Sequence, residues 1–137
     1  MLLTPYLLFN GNCREAMLFY QHCLGGELTF QTVAEVPVNY SLPTRLGSLI
    51  MQATLIKDSF TLRASDLNDN DVLVNGNTVT FMLKCSSQSE LNQVKVKLLN
   101  GGMIIQDLSK TLDNAWITSL MDKYGHYWTI FCYGDAD

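Results

Sequence analysis

The sequence predicts an α+β domain made of two consecutive modules, each with the order strand, helix and three further strands. Two observations favour this fold. Each predicted helix ends in a glycine pair, Gly25-Gly26 in the first half and Gly101-Gly102 in the second. Each pair is followed by segments in which apolar and polar residues alternate, as they do in strands. Because the pattern occurs only twice, it indicates a pseudo-twofold domain and not a solenoid.

Bulk composition restricts the class of protein. The 137 residues are 47% hydrophobic and 16% charged, which is typical of one compact domain. A net charge of −4 without a basic run argues against a nucleic-acid partner. No apolar stretch approaches the roughly 18 to 20 residues that span a bilayer, and the start lacks signal-peptide features, so a cytoplasmic protein without membrane contact is predicted. We expect a single domain, with module one at residues 1–66, a connector at 67–76 and module two at 77–137.

The first predicted helix, residues 12–24, carries signals at both ends. Asn12 is predicted to cap the free amides of the first turn, with Glu15 reaching back as in a capping box. Gly25 suits the left-handed residue that follows many helices. The predicted strands of this module are Thr4–Phe9, Glu27–Val36, Gly47–Ile56 and Ser59–Ser65, with an irregular loop at Pro37–Pro43.

The second module repeats these signals. Ser87 and Glu90 have the spacing of a capping box and open a second predicted helix, which the glycine pair at 101–102 ends. The predicted strands of this module are Asn77–Cys85, Met103–Leu108, Ala115–Met121 and Tyr127–Cys132.

The four cysteines do not form a recognisable metal motif. No two of them have the C-x-x-C spacing of a structural zinc site. Cys13 and Cys23 lie on different turns of one helix, too far apart for a disulfide. We therefore expect buried free thiols. A catalytic cysteine would need a histidine beside it, and the sequence does not place His22 or His126 next to a thiol.

Strand alternation predicts a polar face that turns away from the helices. Between Leu49 and Leu55 every second side chain is apolar and suits the helix side, which places Ile50, Gln52 and Thr54 on the other face. The same reasoning places Thr61 and Arg63 there. From the second module the residues expected on this face are Thr78, Thr80, Trp116, Thr118, Tyr127, Thr129 and Phe131. The predicted ligand-binding residues are Gln52, Thr54, Arg63, Thr78, Trp116 and Thr129.

The predicted face suits binding better than catalysis. It offers threonines, a glutamine, an arginine and aromatic rings, and no evident general base or nucleophile. Arg63 can meet a carboxylate or phosphate of a small-molecule ligand, or can form a salt bridge at a rim or dimer contact. Trp116 can be a stacking platform or an ordinary packing residue.

Three stretches resemble a known family. The opening segment YLLFNGNCREAMLFYQHCLGGEL is similar to the start of PhnB-like proteins, often labelled 3-demethylubiquinone 3-methyltransferase-like, in the glyoxalase/bleomycin-resistance/dioxygenase (vicinal oxygen chelate) superfamily. Leu62–Asp66 and Met121–Phe131 resemble later parts of the same branch. The resemblance implies two βαβββ modules whose curved sheet surrounds a cavity, and it implies a homodimer.

The same resemblance implies a divalent metal held by histidine, glutamate or glutamine side chains of the strands. This sequence has Thr78 where the superfamily often has histidine and Thr129 where it often has glutamate. It has Gln52 where the branch commonly has histidine, and Asp113 where the branch has a tryptophan. The other candidate ligands are His126, Asp66 and Asp113. We expect no intrinsic metal and no cofactor.

Three functions remain open at this point, and with them whether the protein is an enzyme. The first is a protein that binds a small molecule in the cavity without the family metal. The second is a metal-dependent lyase, isomerase or dioxygenase with an unusual ligand set around Gln52. The third is a dimeric scaffold. The methyltransferase label finds no support, because Gly25-Gly26 follows a helix instead of opening one around a cofactor.

Overall fold

The computed structural model describes residues 1–32, 49–58, 60–66 and 72–134. The described elements follow the order strand, helix, three strands, twice over, which confirms the predicted α+β class and the repeat. The chain divides into two compact units, residues 1–73 and 74–137. The predicted loop Pro37–Pro43, the end of the strand predicted at Glu27–Val36 and part of the predicted connector lie outside the described residues.

The described residues of the first unit form a four-stranded sheet with one helix. Its elements are β1 (Tyr6–Leu8), α1 (Cys13–Leu24), β2 (Glu27–Thr32), β3 (Ile50–Lys57) and β4 (Phe60–Ser65). The strand order is β1-β4-β3-β2, with β1 parallel to β4 and the other neighbours antiparallel.

The second unit repeats this topology. Its elements are β5 (Thr80–Lys84), α2 (Gln88–Leu99), β6 (Met103–Lys110), β7 (Ala115–Met121) and β8 (Tyr127–Tyr133). The strand order is β5-β8-β7-β6, again with one parallel pair, β5 and β8. Each described helix has 12 residues, and neither is long and apolar enough to cross a membrane.

Helix α1 packs one apolar stripe on its sheet. Its buried residues are Cys13, Ala16, Met17, Tyr20, Cys23 and Leu24. The strand residues buried on the same side include Ala53, Leu55, Leu62 and Ala64. Fully burying a side chain such as Leu55 stabilises the fold by about 1.5–3 kcal/mol relative to leaving it exposed. The core of this unit therefore lies between α1 and one face of the sheet, which leaves the opposite face for other contacts.

The N-terminus of α1 differs from the prediction. Asn12 makes no capping hydrogen bond with its side chain. Asp66 takes that place, because its Oδ1 accepts from the backbone N–H of Gly11 at 2.9 Å and of Cys13 at 3.0 Å. A buried carboxylate that follows β4 satisfies the helix more strongly than an amide can, since its charge also complements the helix dipole.

The other predicted helix ends are confirmed. Ser87 Oγ accepts a hydrogen bond from the backbone N–H of Glu90 at 3.1 Å. Gly25 has a φ of 81°, and its N–H donates to the Gln21 carbonyl at 2.7 Å. A residue with a side chain would be strained at this φ, which explains why glycine stands there.

A β-bulge corrects the alternation predicted for β3. The ladder pairs Gln31 with Gln52 but Thr32 with Ile50, so Met51 is an extra residue on β3. The bulge turns Ile50 to the helix side of the sheet, where it is fully buried. The prediction that Ile50 shares a face with Gln52 is therefore wrong, since period-two alternation holds only along an unbroken ladder.

Candidate functional site

The face of the first sheet opposite α1 carries a row of four side chains, one from each strand. The register pairs Tyr6 with Arg63, Arg63 with Thr54, and Thr54 with Thr29. Directly paired residues point to the same side of a sheet, so the four side chains are neighbours. We call this side the open face. Thr54 and Arg63 lie side by side on it, as alternation predicted.

A second pair extends the open face along the strands. Gln31 of β2 lies directly opposite Gln52 of β3, two residues from the row that contains Thr54. Together these side chains border a hollow with a volume of about 250 Å³. The hollow is lined by Thr29, Phe30, Gln31, Gln52, Thr54 and Arg63. All six of these described lining residues belong to the first unit.

The hollow is bordered by the positive charge of Arg63, although the chain as a whole has a net charge of −4. Arg63 is exposed, and no other described residue forms an ion pair or hydrogen bond with its guanidinium. The guanidinium of Arg63 is therefore available to an anion entering from solvent.

Two predicted site residues lie in the second unit. Thr129 of β8 lies on the face opposite α2, and its Oγ1 is 2.9 Å from Oγ1 of Thr80 on β5. Thr78 precedes β5 and is exposed, because this strand begins later than the sequence predicted. Thr80, and not Thr78, is thus the threonine that the structure brings to Thr129.

Trp116 lies on the opposite face from the one predicted. It pairs across the ladder with Cys132, and its neighbour in alternation, Thr118, pairs with Ile130. Thr118 and Cys132 are fully buried on the helix side of the second sheet. The Trp116 ring instead has the ammonium group of Lys110 at 5.7 Å. The sequence misleads here because both alternating sets of β7 contain apolar and polar residues, and the placement favours packing over stacking against a ligand.

The donors on the open face do not fit the divalent metal that the superfamily resemblance implies. Gln52 and Thr54 offer neutral oxygens, and Arg63 beside them would repel a cation. Within the described ranges, no three histidine, cysteine, aspartate or glutamate side chains are close enough to hold a metal ion. We assign no chemistry in this site to a metal.

The other candidate metal ligands have structural partners. Asp66 accepts from three backbone N–H groups, including that of Ile50 at 2.9 Å. Asp113 accepts a hydrogen bond from the Thr111 hydroxyl. His126 is half-buried against the ring of Phe81, and burial lowers the pKa of its imidazole while nearby Asp122 acts in the opposite direction.

All four cysteines are free and buried, as predicted. Burial raises the pKa of Cys13 to about 12, and the charge of Asp66 adds to this effect. Burial raises the pKa of Cys85 to about 11, with a further contribution from Glu90. Because only the thiolate is a good nucleophile, neither residue is suited to covalent catalysis near neutral pH.

This protonation state predicts slow alkylation of the folded protein. At pH 8 the thiols of Cys13 and Cys85 stay protonated and shielded, so iodoacetamide should modify them at least about 100-fold more slowly than in urea-unfolded protein. Mass spectrometry of peptides sampled over time measures each site. Modification of Cys13 at the unfolded rate would contradict its burial.

Three residues of the open face are missing from the predicted set. Thr29 and Gln31 line the hollow, and Tyr6 flanks Arg63. For β2 the signal is present in the sequence, since Thr29 and Gln31 alternate with Leu28 and Phe30. For Tyr6 it is absent, because a three-residue strand of mostly apolar residues has no clear alternation.

Comparison with known proteins places the chain in a family. The family described as 3-demethylubiquinone-9 3-methyltransferase matches residues 2–131. The structure of protein PA1353 from Pseudomonas aeruginosa is 31% identical and covers 98% of this chain and 99% of its own, with a TM-score of 0.85.

Two more distant structures share the fold. The PhnB protein from Bacillus cereus is 22% identical with a TM-score of 0.71, covering 96% of this chain and 99% of its own. A glyoxalase/bleomycin resistance protein/dioxygenase family enzyme from Burkholderia phytofirmans is 12% identical with a TM-score of 0.61, covering 93% and 94%. The chain therefore belongs to the PhnB-like family described as 3-demethylubiquinone-9 3-methyltransferase, and it has the fold of the glyoxalase/bleomycin-resistance/dioxygenase proteins.

Proposed function

We propose that this protein reversibly binds a small organic anion on the open face of the first sheet, without the metal of its superfamily. One observation carries the proposal. Arg63 lies on β4, one of the two middle strands of the first sheet, and its neighbours on the open face are Tyr6 and Thr54. Its guanidinium has no ion-pair partner among the described residues. An arginine in this position presents a planar pair of donors that matches a carboxylate or phosphate.

The neighbours of Arg63 suit an anion that carries an aromatic or apolar part. Tyr6 is 52% exposed, so its ring is available for contact. Thr29 and Thr54 add hydroxyl groups that can donate to an anionic oxygen. The hollow of about 250 Å³ lies near the lower end of ligand pockets, which favours a compact ligand.

The lining of the hollow favours binding over catalysis. Its six residues include no carboxylate, histidine, cysteine or lysine. None of them can take up or release a proton easily at neutral pH, so the site can orient a ligand without an evident proton-transfer group. Methyl transfer gains no support either, because each glycine pair packs against the end of a strand of its own unit. A Cβ on Gly26 would lie 2.6 Å from the Ile56 carbonyl oxygen of β3, and one on Gly102 would lie 2.1 Å from the Met121 carbonyl oxygen of β7.

Titration with simple aromatic anions tests the proposal. Benzoate and phenyl phosphate should bind the wild type more tightly than neutral benzyl alcohol, because only the anions can engage Arg63. A charge-assisted hydrogen bond contributes about 1.5–3 kcal/mol, so Arg63→Gln should weaken anion binding roughly 10- to 100-fold. Calorimetry gives the affinities, and chemical-shift changes of backbone amides locate the site.

A matched control removes a positive charge elsewhere. Lys97 is exposed in the last turn of α2, so Lys97→Gln should leave the affinity for benzoate within about twofold. Equal binding of benzoate to the wild type and Arg63→Gln would overturn the proposal. Amide shifts confined to the second unit would do the same.

A further inference from the structure

Two glutamine side chains lie side by side on the open face, and neither has a hydrogen-bond partner among the described residues. Gln31 and Gln52 are direct neighbours across β2 and β3, and both line the hollow. Neither side-chain amide forms a hydrogen bond with another described residue. Each primary amide offers two N–H donors and one carbonyl acceptor, so the pair presents both kinds of group on one side of the sheet.

The position of this pair relative to Arg63 sets a distance. Gln52 lies two residues from Thr54 on β3, and Thr54 is the direct partner of Arg63. Two residues along a strand correspond to about 6.6–6.8 Å, and Arg63 lies one strand away at a spacing of about 4.8 Å. The backbones of Gln52 and Arg63 are therefore about 8 Å apart. A ligand whose anionic group is held by Arg63 therefore extends to the glutamine pair if it carries a polar group at roughly this distance.

We infer that the ligand of this site carries an amide or ureido group about 8 Å from its anionic group, with the Gln31–Gln52 pair as the specificity determinant. This inference rests on the proposed anion-binding function. A secondary amide has one N–H donor and one carbonyl acceptor, which the paired glutamines complement. A ligand with only an acceptor leaves a glutamine carbonyl without its donor, and such mismatches reduce affinity.

Four probes separate the contributions in the wild-type protein. The compound 4-acetamidobenzoate carries the carboxylate and the amide across an aromatic ring. Benzoate lacks the amide, acetanilide lacks the carboxylate, and 4-acetylbenzoate keeps a carbonyl acceptor but has no N–H donor. We expect 4-acetamidobenzoate to bind about tenfold more tightly than benzoate, because water competes at this open site and limits the gain. We expect 4-acetylbenzoate to bind less tightly than 4-acetamidobenzoate.

Variants then assign the preference to the glutamines. Gln31→Leu and Gln52→Leu should each reduce the preference for 4-acetamidobenzoate over benzoate to about twofold or less. Gln93→Leu, on the exposed surface of α2, is the matched control and should keep the full preference. Far-UV circular dichroism verifies that each variant is folded.

The outcomes distinguish the two proposals. Benzoate binding through Arg63 without any preference for 4-acetamidobenzoate overturns the inference and leaves the anion-binding function in place. Acetanilide binding as tightly as 4-acetamidobenzoate, with no effect of Arg63→Gln, overturns the anion-binding function while the amide preference stands. Absence of binding by every probe overturns both.

Discussion

Replacing Asp66 by alanine is expected to lower the free energy of unfolding by about 3–5 kcal/mol, because three backbone donors lose a buried acceptor together. The carboxylate accepts from Gly11 and Cys13 through Oδ1 and from Ile50 through Oδ2. These donors belong to the segment before α1, to the first residue of α1 and to the first residue of β3. Asp66 is only 7% exposed, so water cannot replace the lost hydrogen bonds without opening the fold.

Urea denaturation followed by circular dichroism measures this change. Asp66→Asn keeps one carbonyl acceptor in nearly the same volume and should lose less stability than Asp66→Ala, because only part of the hydrogen bonding disappears. Asp107→Ala, at an exposed position of β6, is the control for loss of a carboxylate and should stay within about 0.5 kcal/mol of the wild type. A loss below about 1 kcal/mol for Asp66→Ala would show that the three donors find other partners.

The three hydrogen bonds that Asp66 accepts also support the candidate site. Asp66 follows the last residue of β4, and Arg63 lies three residues earlier on the same strand. The second unit has a comparable buried carboxylate. Asp122 Oδ1 accepts from the backbone N–H of Tyr124 and His126, and its Oδ2 accepts from Trp128 Nε1 at 2.8 Å. Each sheet is thus tied to its own loops by one aspartate that the resemblance to metal enzymes did not predict.

Most of the fold could be predicted because its signals are local. Helix periodicity, the serine cap at Ser87 and the two glycine pairs each depend on residues close in sequence, and the structure confirms them. The cap at Asn12 could not be assigned correctly, since the competing acceptor, Asp66, is more than fifty residues away along the chain. Local rules do not include a carboxylate that arrives through tertiary structure.

The candidate site could be predicted in part. Thr54 and Arg63 follow directly from alternation, because their buried neighbours in β3 and β4 are uniformly apolar. The predicted face of Ile50 is wrong because a bulge adds one residue to β3. The predicted face of Trp116 is wrong because both alternating sets of side chains in β7 mix polar and apolar residues. The adjacency of Gln31 and Gln52 depends on the register between two strands, which alternation within one strand cannot supply.

The second large predicted effect concerns a glycine pair. Replacing Gly102 by alanine is expected to lower the free energy of unfolding by about 3 kcal/mol or more. A Cβ at this position would lie 2.1 Å from the carbonyl oxygen of Met121 and 3.0 Å from Cα of Asp122. Both are backbone atoms, so neither can rotate away as a flexible side chain would. The turn that follows β7, and with it the buried carboxylate of Asp122, would have to move.

Gly76→Ala is the control that separates this steric cost from the general cost of replacing glycine. Gly76 has a φ of +46°, and no atom lies within 4 Å of a Cβ built there. Its replacement should therefore cost only about 1 kcal/mol, from the left-handed backbone alone. Thermal and urea unfolding of the two variants under the same conditions measure the difference. Equal losses of unfolding free energy for Gly102→Ala and Gly76→Ala would mean that the segment after α2 does not pack closely on the turn after β7. The second glycine pair would then serve to reverse the chain and not to allow close packing.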